Sequence, residues 1–347
     1  MNKLAPILLI FTPIALLASY FHQSPIAIFV LAALAIVPLA KYIGDATDEL
    51  TAHTNAGVGG LINATFGNAT ELIIGIFALN AGLIDVVKAS ITGSVLGNLL
   101  LVLGTAILAG GMKRERQQFN ATAAKAAGSM LLLATIALVI PTIFAYTAPG
   151  LSGGVIMSLS VLVAILMIVA YVAQLIFSLR THRHLYVSEK DVAPSWSVRT
   201  ALIVLACATI AVAFVSDVLV SAITPLVTEF GWTQLFIGVI IVAIVGNVAE
   251  HLSAVRAAIK DRMSLTFSIA VGSATQIVMF VAPVLVLISL FFNARMNLVF
   301  GLFELIALVL SVYVANAVME DGESNWLEGI QLLIAYIIMA VAFFFHP

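Results

Sequence analysis

Two short stretches, GNATELIIG at residues 67–75 and GNVAEHLSA at residues 246–254, each place a glutamate in otherwise apolar surroundings. In both stretches the glutamate, Glu71 or Glu250, follows an asparagine by three residues. A charged side chain at the centre of a membrane costs about 2.5–3.5 kcal/mol on insertion scales, so it normally faces a cavity or a partner. The two stretches therefore predict a polar site inside an apolar protein.

The composition indicates that a lipid bilayer surrounds this site. Of the 347 residues, 62% are hydrophobic and only 9% are charged, and the mean hydropathy is +1.16. Soluble domains carry about 25% charged residues. Apolar runs of about 20 residues, long enough to cross the hydrocarbon core, recur along the whole chain and predict one polytopic membrane protein. The net charge of −2 gives no indication of a nucleic-acid partner.

Charges, Gly/Pro clusters and polar turns divide the chain into eleven predicted transmembrane helices. Because eleven is odd, the two termini are expected on opposite sides of the membrane. The predicted spans are residues 4–20, 25–46, 57–80, 85–110, 122–145, 153–180, 198–227, 233–259, 264–292, 297–318 and 326–345.

The basic residues predict the orientation of these helices. Of the 15 Lys and Arg residues, all but Lys88 and Arg295 fall on the N-terminal side of the predicted spans. Cytoplasmic loops carry an excess of Lys and Arg. We therefore expect a multi-pass protein of the cell membrane with a cytoplasmic N-terminus and an external C-terminus.

The chain contains an internal repeat. A shift of 179 residues, the separation between Gly67 and Gly246, aligns residues 55–101 with residues 234–280 without a gap. Self-similarity at a fixed distance indicates duplicated structural units. The matches concentrate at glycine and polar positions and include Gly59/Gly238, Ala64/Ala243, Gly67/Gly246, Asn68/Asn247, Glu71/Glu250, Ala78/Ala257, Gly93/Gly272 and Ser94/Ser273.

The motif helix of the second copy comes five predicted helices after that of the first, and because five is odd, the copies are inverted relative to each other. The sequence thus predicts an all-α integral membrane protein with 11 transmembrane helices. Its segments are a leading helix (1–24), a first five-helix repeat (25–180), a cytoplasmic linker (181–197) and a second five-helix repeat (198–347). In such folds the substrate site lies near the midplane, on helices that glycine or proline interrupts. Gly67 and Gly246 are the expected interruptions.

The two repeated motifs offer oxygen ligands. On a continuous helix, a spacing of three residues puts Asn68 beside Glu71 and Asn247 beside Glu250. No Lys or Arg lies at the same depth, so the counter-charge of each glutamate is expected to be a proton or a metal ion. Hard cations such as Ca²⁺ take six to eight oxygen ligands. Mn²⁺ also fits oxygen ligands, whereas a zinc site is not expected, because no cysteine and no paired histidine lies beside these motifs and His251 is predicted to point away from the face of Glu250.

The helices that follow the motifs add neutral oxygens. GSVLGN supplies Ser94 and Asn98, and GSATQ supplies Ser273 and Gln276, each pair at a spacing that shares one helical face. They are expected as further ligands, and the alternative is that they hydrogen-bond between packed helices. For the two glutamates, the alternative is a structural role as protonated acids.

These motifs together resemble the Ca²⁺/H⁺ antiporter (CAX) branch of the cation/Ca²⁺ exchanger superfamily, and the likeness covers nearly the whole chain. The resemblance implies alternating access, with Ca²⁺ bound centrally by residues that match Glu71 and Glu250 and driven out by entering protons. It implies no cofactor besides the transported ions. The matching neighbours are Asn68, Asn247, Ser94, Asn98, Ser273 and Gln276.

Two departures from related families refine this expectation. Sodium-coupled relatives usually carry an extra acid after the second GS, whereas Ala274 to Met279 contains none, which favours protons over sodium. Some family members have an acidic regulatory stretch between the halves, whereas the linker here contains only Glu189 and Asp191. Regulation by cytosolic Ca²⁺ through the linker is therefore not expected.

The sequence leaves other functions as alternatives to Ca²⁺ export in exchange for protons. A carrier of the same fold that uses Na⁺ or K⁺ or moves Mn²⁺ is the first, and a cation channel is the second. An enzyme is not expected, because no nucleophile with a base and no HExxH helix is present. The sequence assigns no role to the acids Asp217 and Glu304 or to the Asp45/Glu49 cluster. The alternatives are lining the path to the site, relaying protons, capping helices and facing solvent. No oligomeric state is indicated.

Overall fold

A computed structural model describes residues 5–54, 56–182 and 194–346. Most of the predicted linker at 181–197 lies outside these residues. Counting each π-helical turn with the helix that it continues, the described residues form thirteen helices. They are α1 (Ala5–Tyr20), α2 (Pro25–Ala52), α3 (Ala56–Phe66), α4 (Ala69–Asn80), α5 (Ile84–Gly111), α6 (Ala121–Thr147), α7 (Gly153–Thr181), α8 (Val198–Phe230), α9 (Gln234–Gly246), α10 (Val248–Ile259), α11 (Met263–Ser289), α12 (Leu302–Val318) and α13 (Trp326–Phe345).

The helices confirm a multi-pass membrane protein. Within the described ranges, seven helices are long and apolar enough to cross a membrane, and the bent pair α9 and α10 brings the number to eight. Three further apolar helices, α1, α4 and α12, are shorter. The helices lie where the sequence predicts them, and the count of eleven spans stays a prediction.

Both helices that carry the repeated motif are broken, as the glycines predict. The first break separates α3 from α4 at Gly67 and Asn68, and the second separates α9 from α10 at Asn247 with a bend of 59°. At the first break, the N–H of Gly67 donates to the carbonyl of Asn63 at 2.8 Å. A Cβ atom on Gly67 would lie 2.6 Å from that oxygen, so the close turn requires glycine.

Two helix ends differ from the prediction. The helix α2 continues to Ala52 instead of ending near residue 46, so the acidic segment GDATDEL is helical. The helix α12 begins at Leu302 instead of residue 297. The residues before α12 are held as a folded loop, because the N–H of Leu298 donates to Ser160 Oγ at 3.0 Å and that of Phe300 donates to Thr142 Oγ1 at 3.1 Å.

The first helices of the two repeats, α2 and α8, pack against each other along most of their lengths. Their buried faces are rich in alanine, including Ala32 and Ala35 of α2 and Ala201 and Ala208 of α8. Small side chains let helices approach closely in a membrane, where van der Waals packing drives association. This central pair joins the two halves of the molecule.

Loops that the basic residues assign to one side of the membrane meet each other. On the predicted cytoplasmic side, the short strand β1 (Gln117–Gln118) pairs antiparallel with β2 (Glu323–Ser324), a two-residue exception to the all-α prediction. Arg114 on the same side forms an ion pair with Asp261 at 3.4 Å. On the opposite side, Lys88 Nζ donates to Asn297 Oδ1 at 2.7 Å. The termini's orientation in the membrane stays a prediction.

The helices α5 and α9 cross with their backbones in contact. A Cβ atom on Gly93 of α5 would overlap the carbonyl of Val239 in α9. A Cβ atom on Gly238 of α9 would lie 2.5 Å from Ala89 Cβ and 2.8 Å from the carbonyl oxygen of Val86. The two glycines therefore allow a separation that no other residue would permit, and we call this contact the α5–α9 seam.

The variant Gly93→Ala should be less stable than the wild type, because its methyl group would enter the space of the Val239 carbonyl. Overpacking of this kind costs about 1–3 kcal/mol, which exceeds the gain of about 0.5–1 kcal/mol that alanine gives in a helix. We expect a lower melting temperature of the detergent-solubilised protein.

Gly44→Ala in α2 is the matched control, because no heavy atom lies within 4 Å of a Cβ atom at that position. Its melting temperature should equal or exceed that of the wild type. If Gly93→Ala melted at the same temperature as Gly44→Ala, the close contact of α5 and α9 would be contradicted.

Candidate functional site

Two helix N-termini meet at the breaks. The helix α4 begins directly after Asn68 and carries Glu71 in its first turn, and α10 begins directly after Asn247 and carries Glu250 in its first turn. A helix N-terminus has a partial positive charge and favours a nearby anion. The chain thus stabilises each buried carboxylate with the helix that presents it, as broken helices do in transporters.

The breaks correct the expectation that each asparagine shares a helical face with the glutamate that follows it. Asn68 and Asn247 do not lie on a continuous helical face with the glutamates, because both are N-cap residues. Their backbone angles are φ −109° and ψ 28° for Asn68 and φ −94° and ψ 13° for Asn247. Neither side chain caps its own helix. Both amides are therefore free to bond with other helices.

The amides and hydroxyls of the predicted site form hydrogen bonds between the two halves. Asn98 Nδ2 in α5 donates to Asn247 Oδ1 at 2.9 Å and to Ser273 Oγ at 3.0 Å. Asn247 Nδ2 donates to Ser94 Oγ at 2.8 Å. Each of these bonds joins a residue of the first repeat to a residue of the second.

Two further bonds complete this network. Asn68 Nδ2 donates to Gln276 Oε1 at 2.5 Å, and Ser273 Oγ donates to Asn68 Oδ1 at 3.5 Å. All six neutral residues that the sequence predicts thus lie in one cluster, and five of them are at most 7% exposed. We call it the polar cluster, formed by Asn68, Ser94, Asn98, Asn247, Ser273 and Gln276.

Glu71 reaches across to the opposite repeat. Its Oε1 atom lies 3.3 Å from the position that a Cβ atom on Gly246 would occupy, so the glycine at the second break leaves room for the carboxylate. The equivalent glycine of the first break, Gly67, has Asn63 as its nearest neighbour and not Glu250. The two halves are therefore related but not identical in their packing.

Four buried oxygen atoms of these residues lack donors. Glu71 Oε1 and Oε2, Glu250 Oε2 and Asn98 Oδ1 accept no hydrogen bond from another residue in the part of the chain that the structure describes. A buried polar atom without a partner is unfavourable, and an ionised carboxylate is more so. All four atoms are acceptors, so a proton or a cation is the partner that satisfies them.

Both repeats have a π-helical turn beside the polar cluster, in α5 and in α11, and the starts of the two turns differ by one aligned position. A π-helical turn begins at Gly97 in α5, directly before Asn98, and another begins at Ile277 in α11, directly after Gln276. A shift of 179 residues relates Gly97 to Gln276 and Asn98 to Ile277. Single π-helical turns are frequent at functional sites, because they change the direction of the neighbouring side chains.

Acidic side chains alone do not surround a metal ion here. Among residues 5–54, 56–182 and 194–346, no group of three or more His, Cys, Asp or Glu side chains is placed to hold one. A cation bound between Glu71 and Glu250 would therefore need the neutral oxygens of the polar cluster as ligands. That donor set suits a hard cation, which accepts amide and hydroxyl oxygens as well as carboxylates.

The other acids that the sequence left open have separate surroundings. Asp45 forms an ion pair with Lys41 within α2. Glu49 Oε2 accepts the N–H groups of Ser195 and Trp196, at 2.8 and 3.1 Å, and so holds the chain that leads into α8. The third acid, Asp217, is exposed on α8.

Glu304 caps its own helix and not a neighbouring one. Its Oε2 atom accepts the N–H of Gly301 at 2.9 Å, and its Oε1 atom accepts the hydroxyl of Thr92 at 3.4 Å. With Asp85 and Lys88, Glu304 lines a cavity of about 420 Å³ on the predicted external side. A role as a proton relay stays untested.

No role was predicted for two further ionisable residues, Asp48 and His251. Asp48 is exposed near the end of α2, whereas the predicted end of this helix at residue 46 placed it in a loop. His251 follows Glu250, and its Nε2 atom is buried without a partner within the described residues.

Comparison with known proteins identifies related chains. Residues 24–180 and 200–345 match the family described as "Sodium/calcium exchanger protein". The chain is 48% identical over 339 residues to the Ca(2+)/H(+) antiporter ChaA of Bacillus subtilis, covering 96% of both chains. It is 44% identical over 357 residues to the Ca(2+)/H(+) antiporter of Aphanothece halophytica, covering 98% of this chain and 96% of the relative.

Solved structures show the same fold. The structure of native YfkE matches with a TM-score of 0.88 at 45% identity, covering 99% of this chain and 100% of that one. The crystal structure of the H+/Ca2+ exchanger CAX matches with a TM-score of 0.75 at 14% identity, covering 99% and 92%. At 14% identity, the match to this exchanger shows only that the two chains share a fold.

Neutralising one glutamate should stabilise the cation-free protein. When both carboxylates are ionised and no cation is bound, their like charges repel in a buried cluster. We expect Glu71→Gln and Glu250→Gln each to melt several degrees above the wild type in alkaline buffer with a chelator. Asp217→Asn removes an exposed acid elsewhere and should melt like the wild type.

A saturating divalent cation should reverse this order. A ligand at 100 times its dissociation constant stabilises the folded state by about 2.7 kcal/mol, and each variant lacks one of the two carboxylates that a cation would neutralise. If the wild type melted above both variants in the chelator, repulsion between the two carboxylates would be contradicted.

Proposed function

The chain belongs to the sodium/calcium exchanger family, and from this premise we propose that it exports Ca²⁺ from the cytosol in exchange for protons by alternating access. Its close relatives are Ca²⁺/H⁺ antiporters, which supports antiport of these two ions. Like them, the chain is a transporter and not an enzyme. Ca²⁺ and H⁺ are its substrates, and the lipid bilayer is its surrounding medium.

The observation that supports this proposal best is the set of four donorless oxygens between the repeats. Glu71 contributes two of these atoms, Glu250 one and Asn98 one. In the proposed Ca²⁺ complex, the two glutamates supply two negative charges, which balance the charge of the ion. The neutral ligands would come from Asn68, Asn247, Ser94, Asn98, Ser273 and Gln276.

The exchange follows from the cost of leaving the two carboxylates uncompensated. A buried, ionised pair without a counter-charge is strongly unfavourable, because the surroundings have a low dielectric constant. One Ca²⁺ ion or protons on the two acids relieve this cost, and the two kinds of ligand exclude each other on the same oxygens. The protein is therefore expected to change conformation only when Ca²⁺ or protons occupy the two acids. This requirement couples the flux of Ca²⁺ to the flux of protons.

The polar cluster is suited both to Ca²⁺ at the site and to protons on the two glutamates. Asn98 donates two hydrogen bonds through Nδ2, which leaves Oδ1 as an acceptor toward a cation. Hydroxyl groups such as those of Ser94 and Ser273 can rotate, so they accept from an amide or turn an oxygen toward a cation. The cluster thus supports Ca²⁺ binding without adding negative charge, and the same residues remain hydrogen-bonded to one another when protons occupy the acids.

The composition of α11 favours protons over sodium as the coupling ion. The residues from Ala274 to Met279, which follow the second GS, contain no acid that could hold an additional cation. Two anionic side chains are enough for one divalent ion or two protons at a time.

The functional unit of this proposal is the pair of repeats, residues 25–180 and 198–347. The family match in two segments, 24–180 and 200–345, supports this division. The leading helix at 1–24 and the linker at 181–197 contribute no proposed ligand. With the N-terminus in the cytoplasm, α3 and α10 line the cytosolic half of the path, and α4 and α9 line the external half.

Everted membrane vesicles test the proposal. A pH gradient, acidic inside, should drive uptake of radioactive Ca²⁺, and a sodium gradient of the same size should not. Glu71→Gln and Glu250→Gln should each reduce the rate by at least about tenfold, because each removes one of two anionic ligands. Uptake by either variant at the wild-type rate would contradict the mechanism.

Asp217→Asn is the matched control, since it neutralises an exposed acid outside the polar cluster. Its uptake should equal that of the wild type. Uptake that follows the sodium gradient and ignores the pH gradient would instead show a sodium-coupled carrier of the same fold.

A further inference from the structure

We propose that Arg114 is a positioning residue for Glu250. From the loop that follows α5, Arg114 holds the C-terminal end of the half-helix α10 and so fixes the place of Glu250 in the site. This inference rests on the proposed function, in which Glu250 binds Ca²⁺. It follows from the hydrogen bonds of Arg114, from the buried side chain of Gln117 and from the different residues at the equivalent place in the other repeat.

Arg114 joins the ends of two helices that belong to different repeats. Its Nη1 atom donates to the carbonyl of Gly110 in the last turn of α5 at 2.8 Å, and its Nη2 atom donates to the carbonyl of Ile259, the last residue of α10, at 3.3 Å. Its Nε atom lies 3.4 Å from Asp261 Oδ1, directly beyond α10. The last carbonyls of a helix lack partners within it and carry partial negative charge, so a guanidinium that reaches both helices holds their ends together.

A second side chain of the same loop fills the space between these helix ends. Gln117 is 1% exposed, and its Nε2 atom donates to the carbonyl of Ala258 in α10 at 3.3 Å. A Cβ atom on Gly110 would overlap this amide and would lie 2.8 Å from the same carbonyl oxygen, so the glycine of α5 makes room for the contact. We call Arg114, Gln117 and Asp261 the α10 clasp.

The clasp complements the hydrogen bonds at the other end of α10. There, Asn247 accepts from Asn98 Nδ2 at 2.9 Å and donates to Ser94 Oγ at 2.8 Å, and both of these partners lie in α5. The helix α10 is therefore held to α5 at its start and at its end, so it can neither slide along its axis nor rotate about it. Glu250, in the first turn of α10, keeps a fixed relation to Asn98 although the two residues belong to different repeats.

The backbone at the end of α10 has an exact counterpart at the end of α4. A shift of 179 residues relates Asp261 to Gly82. Both residues have a left-handed φ, of 60° and 77°. The N–H of Asp261 donates to the carbonyl of Ala258 at 3.0 Å, and that of Gly82 donates to the carbonyl of Leu79 at 3.0 Å. The same turn thus ends both half-helices.

The side chains at this turn differ between the repeats. The same shift relates Arg114 to Asn293, whose side chain is neutral and exposed. Residues 79–82 and 291–294 line a cavity of about 290 Å³, and no ion pair joins these two segments of the described chain. The turn itself therefore does not require a clasp. The clasp serves one half-helix, α10, and not its counterpart α4.

Uptake of Ca²⁺ by everted vesicles, whose cytosolic face meets the medium, is the first test. Arg114→Gln removes the ion pair and the bonds to both helix ends. The Ca²⁺ concentration at half-maximal uptake, KM, should rise by about tenfold, because misplacing a group of the site by about 1 Å costs up to roughly 100-fold. The maximal rate should stay within about twofold of the wild type, because α10 still carries Glu250.

Asp261→Asn is the second variant. It removes the ion pair but keeps a side chain that suits the left-handed backbone at this position, so the protein should fold normally and its KM should rise severalfold. Arg114→Gln removes a positive charge and Asp261→Asn removes a negative one. An effect of surface charge on Ca²⁺ would therefore move the two KM values in opposite directions, whereas loss of the clasp raises both.

Arg116→Gln is the matched control. Arg116 lies in the same loop, is exposed and forms an ion pair with Glu323 of β2 at 3.1 Å. An exposed pair of this kind contributes little to stability, so KM and the maximal rate of this variant should both stay within about twofold of the wild type.

A double substitution measures the positioning without transport. In alkaline buffer with a chelator, Glu250→Gln should raise the melting temperature by several degrees when Arg114 is present. In the Arg114→Gln background this gain should fall by at least about half, because a released α10 lets Glu250 move away from Glu71. The two substitutions act at opposite ends of α10, more than about 10 Å apart, where independent effects add.

The results separate the clasp from the proposed function. A higher KM in both clasp variants, together with a smaller gain from Glu250→Gln in the Arg114→Gln background, supports the clasp. Unchanged or opposite KM values in the two variants, or an equal gain in both backgrounds, overturns it and leaves Ca²⁺/H⁺ exchange standing. If wild-type vesicles show no uptake driven by the pH gradient, the proposed function fails, and the melting temperatures alone decide the clasp.

Discussion

The structure depends on one electrostatic constraint: two carboxylates lie in the apolar interior of a membrane protein without a basic partner at their depth. The fold meets this constraint in three ways. Each glutamate stands in the first turn of a half-helix, whose positive end favours an anion. Neutral amides and hydroxyls of both repeats, including the asparagines directly before the two half-helices, hydrogen-bond to one another. The remaining charge has no partner among the described residues, so it must be balanced by what the protein binds.

Both halves contribute to this site, and their interdependence has a physical consequence. Asn98 of the first repeat bonds Asn247 and Ser273 of the second, and Glu71 lies against the glycine at the opposite break. The residues of the polar cluster are therefore held by contacts with the opposite repeat. A shift of one repeat relative to the other would change the distances among their oxygens. Under the proposed function, a dependence of this kind between bound ion and conformation is what antiport requires.

Close helix contacts distinguish the two halves of the repeat. At the α5–α9 seam, glycines allow two backbones to touch. The matching helices α3 and α11 carry glycines at the equivalent positions, yet no heavy atom lies within 4 Å of a Cβ atom on Gly272. Equivalent residues thus pack differently in the two repeats, because packing depends on the neighbours that each helix meets.

The sequence by itself determined the membrane class, the helix positions, the repeat, the two interruptions and the six neutral residues that gather in the polar cluster. It could do so because hydropathy, the cost of buried charge and the conformational freedom of glycine act residue by residue. Only the tertiary structure decided which atoms meet: that Asn68 and Asn247 leave the helical face of the glutamates, that Asn98 bonds Asn247 and Ser273, and that Glu304 caps its own helix. The repeat places equivalent residues in both halves, so it does not predict that α9 is more deeply buried than α3. That difference arises from packing between helices far apart in the chain, which no local pattern contains.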